Sequence, residues 1–469
     1  MFSYFYFLYP ISNKLYTFAL IFDVHNMKII IAGAGEVGSH LAKMLSRQKH
    51  TITLIDEDEE KLQQLESDYD LIGVTGATTS IITQKEAGIA STDLFVAVTP
   101  YESQNITACI LAKQLGAHKT VARINNHEYL LPANKEFFER LGIHALIYPE
   151  MLAAKEVANS LEINWVRQWI DFQDGALTLI GLKVRNEAPI LHQKLADLTD
   201  SAGYRIVAIR RKSETIIPTG NDEIMPNDIA YFITTKEYIE HVRTQAGKEV
   251  VNIKDLMIMG GGRMTVKSVQ TLPHSMNVKV LERNKDKAFR LVEQLPNAMI
   301  ILGDASNLDL LKQENIDSMD AFVALTENSE ANILACIAAK KFGIRKTIAE
   351  VENFDYIQFA ESLDIGTIIN KKQIAADYIY QYTLDIDVNN VKNITYVNTD
   401  VVELIAKEGA KITKDIIKNL RLPKGFFIGG IIRNGKGYIA NGDTHIQPND
   451  NVIVFYPTET MYKIEKWFS

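Results

Sequence analysis

At 469 residues the chain exceeds what one hydrophobic core supports, so a few domains are expected. Its 46% apolar and 23% charged residues are those of an ordinary globular chain, and a net charge of −8 excludes a surface built to neutralise nucleic-acid phosphates. The two cysteines, Cys109 and Cys336, match no disulfide or metal spacing and suit core positions in a reducing compartment.

Residues 1–26 stand apart. MFSYFYFLYPISNKLYTFALIF carries one charge, Lys14, before Asp23. It lacks the positive opening and small-residue cleavage site of a signal peptide, and Pro10 and Lys14 interrupt it as a membrane span. It reads as an upstream extension from a misassigned start, with the native protein beginning at Met27. No later apolar run approaches spanning length, so any membrane role is expected to be peripheral.

KIIIAGAGEVGSHLAKML, from Lys28 to Leu45, spells a buried strand, a glycine turn and an amphipathic helix. The turn is Gly33-x-Gly35-x-x-Gly38, and Gly33, Ala34, Gly35, Glu36, Val37 and Gly38 are the candidate pyrophosphate cradle. Gly33 permits the turn, Gly35 admits the phosphates and Gly38 lets the helix close on the strand. The helix N-terminus adds its N–H groups and positive dipole. A second strand, TITLID, ends in Asp56, 21 residues after Gly35, where an acid meets ribose hydroxyls. The competing role for Asp56 is to cap the acidic helix EDEEKLQQLESD that follows. Glu57, Asp58, Glu59 and Glu60 disfavour a 2′-phosphate, so NAD(H) is expected over NADP(H).

Strand LIGVTG then ends at Gly76, and LFVAVT ends at Thr99. Helix ESQNITACILAKQLG, strand KTVARI (to Arg123), a helix over about Glu128–Leu141 and a short strand ALIYP follow. Strands alternating with helices predict a doubly wound parallel sheet. Thr99 fits equally a strand-end turn and a ligand contact. Arg123, at a carboxyl strand end, suits a phosphate; the alternative is pairing with a surface carboxylate. His118 and His127 show no metal spacing.

From about Met151 the texture changes to a helix and short alternating strands, ALTLIGLKV, RIVAIRR, ETIIP and DIAYFITT, with turns at Thr219–Asp222 and Pro226–Asp228. Arg210 and Arg211 are expected on a solvated strand edge, with an anion site as the alternative. The chain then repeats itself. Gly260 and Gly262 lie 227 positions after Gly33 and Gly35, and the same shift carries Gly76 to Gly303, Thr99 to Thr326, Asn105 to Asn332 and Cys109 to Cys336. VKVLE ends in Glu282 at the ribose position. In the small module Gly220, Pro226 and Asp228 recur as Gly442, Pro448 and Asp450. The expected architecture is α/β: Rossmann-like parallel-sheet domains over 27–150 and 253–372, each followed by a small α+β domain, over 151–248 and 373–469.

The glycine motif, the Thr99…Asn105 pairing, TVARI and the IIPTGNDEIMPND stretch resemble the RCK domains that regulate potassium conductance. Two such pairs in one chain are similar to the regulatory subunits of bacterial Trk potassium uptake systems. That resemblance implies a non-catalytic, NAD(H)-responsive protein on the cytoplasmic face of the membrane. It also implies a homo-oligomer, at least a dimer, gating a Trk-type potassium-translocating subunit through domain rearrangement. The alternatives are an NAD-dependent oxidoreductase, for which no clustered acid/base residues are evident, and a scaffold with empty crevices.

The second copy departs from the family pattern. Thr265 replaces the third glycine and should crowd the helix; Glu350 replaces Arg123 and should repel a pyrophosphate. The family's Gly-Asp pair survives as Gly303-Asp304 but is Gly76-Ala77 in the first copy. The first copy is therefore the expected strong site. A weaker second site comprises Gly260, Gly262, Glu282, Gly303, Asp304 and Thr326.

Overall fold

The computed structural model describes residues 27–46, 50–198, 203–212, 214–383, 388–393, 399–457 and 462–468. The extension expected at 1–26 lies outside them.

The first sheet contains β1 (Lys28–Ala32), β2 (Thr51–Asp56), β3 (Ile72–Thr75), β4 (Leu94–Ala97), β5 (Lys119–Arg123) and β6 (Ala145–Ile147). All pair in parallel in the order β3-β2-β1-β4-β5-β6, the doubly wound arrangement with its switch point between β1 and β4. Its helices are α1 (Glu36–Ser46), α2 (Glu59–Asp68), α3 (Ile81–Glu86), α4 (Glu102–Leu115), α5 (Pro132–Arg140) and α6 (Pro149–Glu162). The helix expected over Glu128–Leu141 is instead a 3-10 turn, His127–Leu130, followed by α5. Pro132 has no N–H to continue the turn and opens a new helix at its first position.

The first small sheet is antiparallel: β7 (Gln168–Phe172), β8 (Leu177–Lys183), β9 (Tyr204–Arg211), β10 (Glu214–Ile216) and β11 (Ile229–Thr234), ordered β10-β9-β11-β8-β7. Helices α7 (Leu195–Leu198) and α8 (Ile239–Gln245) flank it. The second large domain repeats the first with β12 (Asp255–Met259), β13 (Asn277–Glu282), β14 (Ala298–Leu302), β15 (Ala321–Ala324), β16 (Lys346–Glu350) and β17 (Thr367–Ile369). Its helices are α9 (Arg263–Thr271), α10 (Lys285–Gln294), α11 (Leu308–Gln313), α12 (Ser329–Lys341), α13 (Phe354–Ser362) and α14 (Lys371–Tyr380). The second small sheet runs β18 (Val388–Asn393), β19 (Thr399–Ile405), β20 (Phe427–Arg433), β21 (Lys436–Ile439) and β22 (Asn451–Pro457), with α15 (Tyr462–Phe468).

The copies interlock. Helix α6 packs on α9 of the second copy, while α14 packs on both α6 and α1. His40 of α1 hydrogen-bonds with Gln373 of α14 at 3.0 Å. One continuous core runs from Ile29 and Leu54 through Ala375 and Ile379 into Val402 and Val454 of the second small sheet. Another joins Leu177 and Val207 of the first small sheet to Met257 and Phe322 of the second large one. The small domains also meet directly. Arg205 lies 4.3 Å over the Phe427 ring and donates to the Ala440 carbonyl at 2.8 Å. Gly437 makes that approach feasible, since a Cβ there stands 2.1 Å from the Ala176 carbonyl oxygen.

Arg210 and Arg211 do not sit on a solvated edge. Arg210 pairs with Glu361 of the second large domain at 3.3 Å, and Arg211 with Asp228 at 2.8 Å. Asp228 is the buried end of the Pro-Asn-Asp turn, and Asp450 holds Arg433 identically at 2.7 Å. Cys109 and Cys336 fill equivalent buried positions, each thiol donating at 3.4 Å to a strand carbonyl, Val121 and Ile348 respectively. Burial pushes the Cys336 thiol up to about 12 and Cys109 higher still, which leaves both inert.

Candidate nucleotide crevices

In the first copy the three glycines have different duties. Gly33 turns the chain at φ +111°. A Cβ on Gly38 falls 1.8 Å from the Gly33 carbonyl oxygen, so only glycine lets α1 close on β1. A Cβ on Gly35 would meet nothing within 4 Å; the fold does not require this glycine, and it faces open space. The first intrahelical bond runs from Ser39 N–H to Gly35 carbonyl at 2.9 Å, so the preceding amides are the helix's N-terminal donors. Ala34 and Val37 are buried, and Glu36 lies at the rim.

Asp56 is not the cap of α2. Asp58 is, accepting from Lys61 N–H at 3.1 Å. Asp56 reaches the glycine loop instead: one carboxylate oxygen accepts from Ala34 N–H at 2.5 Å and the other from Asp58 N–H at 3.0 Å. A carboxylate has about four acceptor positions, so capacity for ribose hydroxyls remains. Gly76 stands beside it, donating its N–H to the Asp56 carbonyl at 2.9 Å.

Across the switch point, Asn105 joins two strand ends. Its Oδ1 accepts from the Thr99 N–H (2.9 Å) and hydroxyl (2.7 Å), and its Nδ2 donates to the carbonyls of Thr99 and Arg123, both at 2.9 Å. The Thr99 hydroxyl is thus committed to holding the strand end. Arg123 pairs with Glu150 of α6 at 3.2 Å, while Arg123 Nε and Glu150 Oε2 are buried without hydrogen-bond partners. These two orphaned atoms leave hydrogen-bonding capacity at the crevice wall for water or a polar ligand to take up.

The second copy repeats the frame and inverts its charges. Asn332 makes the same four bonds to Thr326 and to the Glu350 carbonyl. Gly262 keeps the open position of Gly35. Thr265 does not merely crowd α9, because its hydroxyl donates to the Gly260 carbonyl at 2.6 Å. Glu282 is buried, with one oxygen accepting from Gly261 N–H at 2.8 Å and the other from Asn284 N–H at 2.7 Å. Gly303 donates to the Glu282 carbonyl, and Asp304 accepts from Ser306 N–H at 2.9 Å, anchoring the turn into α11. Glu350 pairs with Lys371 at 3.4 Å, and burial raises its carboxyl to about 7. Lys371 also pairs with Glu352 at 2.8 Å, and Lys372 bridges Glu352 (3.5 Å) to Glu36 of the first glycine loop (3.4 Å). Where the first copy has Glu36, Arg123 and Glu150, the second has Arg263, Glu350 and Lys372 at the starts and ends of the same elements.

Two switch-point crevices on a duplicated frame, each tied to a small antiparallel domain, place the chain in the class built from paired TrkA-N and TrkA-C domains. The TrkA-N domain model matches residues 29–149 and 256–371, and the TrkA-C domain model matches 179–247 and 401–469. The chain belongs to the TrkA family. It is 30% identical over 436 residues to a Trk system potassium uptake protein TrkA of Halomonas elongata, covering 92% of this chain and 95% of that one. A TrkA homolog of Methanosarcina mazei is 28% identical, over 94% and 100% of the two chains. The fold is that of the GsuK RCK domain (TM-score 0.59, 14% identity, covering 94% and 95%) and of the GsuK channel bound to NAD (0.58, 14%, covering 94% and 79%). Among the described residues no helix is long and apolar enough to cross a membrane, and no group of His, Cys, Asp and Glu is placed to hold a metal ion.

Proposed function

We propose that this chain is a nucleotide-responsive regulatory subunit of a potassium uptake system, binding NAD(H) chiefly in the first crevice. The observation that carries this is the contrast between Gly38, which the fold requires, and Gly35, which only a closely approaching ligand requires. Asp56 is the ribose acceptor and the acids after it exclude a 2′-phosphate; the amides of Gly35 to Gly38 and Arg123 take the pyrophosphate. The buried Glu282 and the carboxyl of Glu350 make the second crevice the weaker site.

The units proposed to move are residues 27–150, 151–248, 253–372 and 373–469, in a homo-oligomer of at least two chains. It sits on the cytoplasmic face of the membrane against a Trk-type potassium-translocating subunit. NAD(H) shifts the arrangement because it prefers one domain geometry over another. Calorimetric titration of NADH into the full chain tests the reading. Gly35→Asp fills the open position and should weaken binding at least tenfold, whereas Gly262→Asp should change it little. Absence of NADH binding to the wild type rejects the ligand, and equal losses in the two variants reject the asymmetry.

A further inference from the structure

Six cationic side chains converge where the first small domain meets the second large one. Arg167 precedes β7, Lys183 ends β8, Arg185 follows it and Lys248 follows α8. Lys340 near the end of α12 and Lys346 at the start of β16 come from the other side. Asp364 is the carboxylate that holds three of them. Arg167 and Lys183 (3.3 Å) pair with one of its oxygens and Lys340 with the other at 3.8 Å, and Lys340 also donates to its backbone carbonyl. The nearby Glu361 is committed to Arg210. Asp364 has φ +54°, at the place where the first copy has Gly142 at φ +89°, so a carboxylate occupies a left-handed position better suited to glycine.

One carboxylate does not balance this charge. Lys346 is 6% exposed, and its ammonium meets the Thr367 hydroxyl at 3.1 Å and the Val166 carbonyl at 3.4 Å. Burial, with repulsion from Arg167, Lys248 and Lys340, lowers its pKa to about 7. Lys248 is lowered to about 8 by burial and then by Arg185 and Arg167. Cations are buried at a cost that only a partner anion or loss of a proton relieves.

We propose that this junction binds a compact polyphosphate anion, inorganic pyrophosphate or the phosphate tail of a nucleotide, at a site separate from both glycine crevices. Arg185, exposed, and Lys248, half-buried, receive the anion at the rim. Arg167, Lys183 and Lys340 line the approach, and Lys346 contributes its charge from beneath. Guanidinium forks and converging ammonium groups suit phosphate oxygens, and a multivalent anion matches their number better than a monovalent one. Binding keeps Lys346 and Lys248 protonated, so it takes up protons near neutral pH and clamps the first small domain to the second large one.

Sodium pyrophosphate, then ATP, titrated calorimetrically into the full chain at pH 7.5 tests the proposal. Pyrophosphate should bind saturably, with a heat that differs between buffers of different ionisation enthalpy. Arg185→Gln/Lys248→Gln should weaken it at least tenfold, while Gly35→Asp/Gly262→Asp should leave it intact. In the Gly35→Asp/Gly262→Asp chain, where both glycine crevices are filled, ATP that competes with pyrophosphate identifies a nucleotide tail, and pyrophosphate binding without ATP competition identifies the inorganic anion. Should the double rim variant melt early, Arg185→Gln alone carries the same test with a smaller expected loss. No saturable pyrophosphate binding, or binding unaffected by the rim variants, overturns the proposal.

Discussion

Asp56 illustrates how one side chain serves both fold and site. Its two oxygens tie the glycine loop to the end of β2 through Ala34 and Asp58, and in the proposed function the same carboxylate accepts from the ribose hydroxyls. Asp56→Ala should weaken NADH binding about tenfold or more, the equivalent of roughly 1.5–3 kcal/mol for a charged hydrogen bond. Asp56→Asn, which keeps an acceptor for the loop, should lose less. Lys346 supplies a second residue-scale expectation. Its pKa falls from the ordinary 10.5 to about 7 on folding, so the unfolded chain holds the extra proton between those values. Stability therefore rises as pH climbs through that window and is lost as pH falls through about 7. The melting temperature should increase from pH 7 to pH 9, and Lys346→Met should flatten that rise; Lys248, lowered to about 8, acts in the same direction. The place of Asp56, at the end of β2 beside the glycine loop, was legible from spacing alone. Glu150, Lys371 and Lys372 were not, because they reach the crevices from the next helix. The five residues missing between Arg123 and α6 in the second copy also shift their register in the repeat.

At the scale of elements, Asn105 and Asn332 are cross-braces between adjacent strand ends, each side chain wholly buried with four bonds. Asn105→Ala strands the Thr99 N–H and the Arg123 carbonyl and should destabilise the first large domain by about 2–3 kcal/mol. A lowered denaturation midpoint with NADH affinity reduced in parallel is the expected outcome. The parallel sheets were readable because their strands are continuous apolar runs between helical patterns, and duplication confirmed the order. Strand β7 was not anticipated: QWIDF interrupts its apolar positions with Asp171 and lies between turn residues, and it is a strand because Leu177–Lys183 pairs with it. Nor does any local pattern announce that α6 leaves its own domain to pack on α9.

The whole molecule is held by that exchange. Because α6 and α14 cover surfaces of the opposite copy and the cores are continuous across it, neither half buries its apolar faces alone. Residues 27–250 and 251–469 expressed separately should aggregate, whereas co-expressed they should elute together as a one-to-one complex in size-exclusion chromatography. Independent, soluble halves would contradict the interlocked packing.

The reversal of charge between the copies decides which domains can face each other. Glu36 meets Lys372 across the contact. If two first-copy domains met in the same way, Glu36 would oppose Glu150; if two second-copy domains did, Arg263 would oppose Lys372. Like charges would be set together in both mismatched pairings, and only the unlike pair is neutralised. Between the two copies the surface is thus a handshake between unequal partners. Assembly of several chains must therefore either use other faces or trade halves between neighbours, always first copy to second.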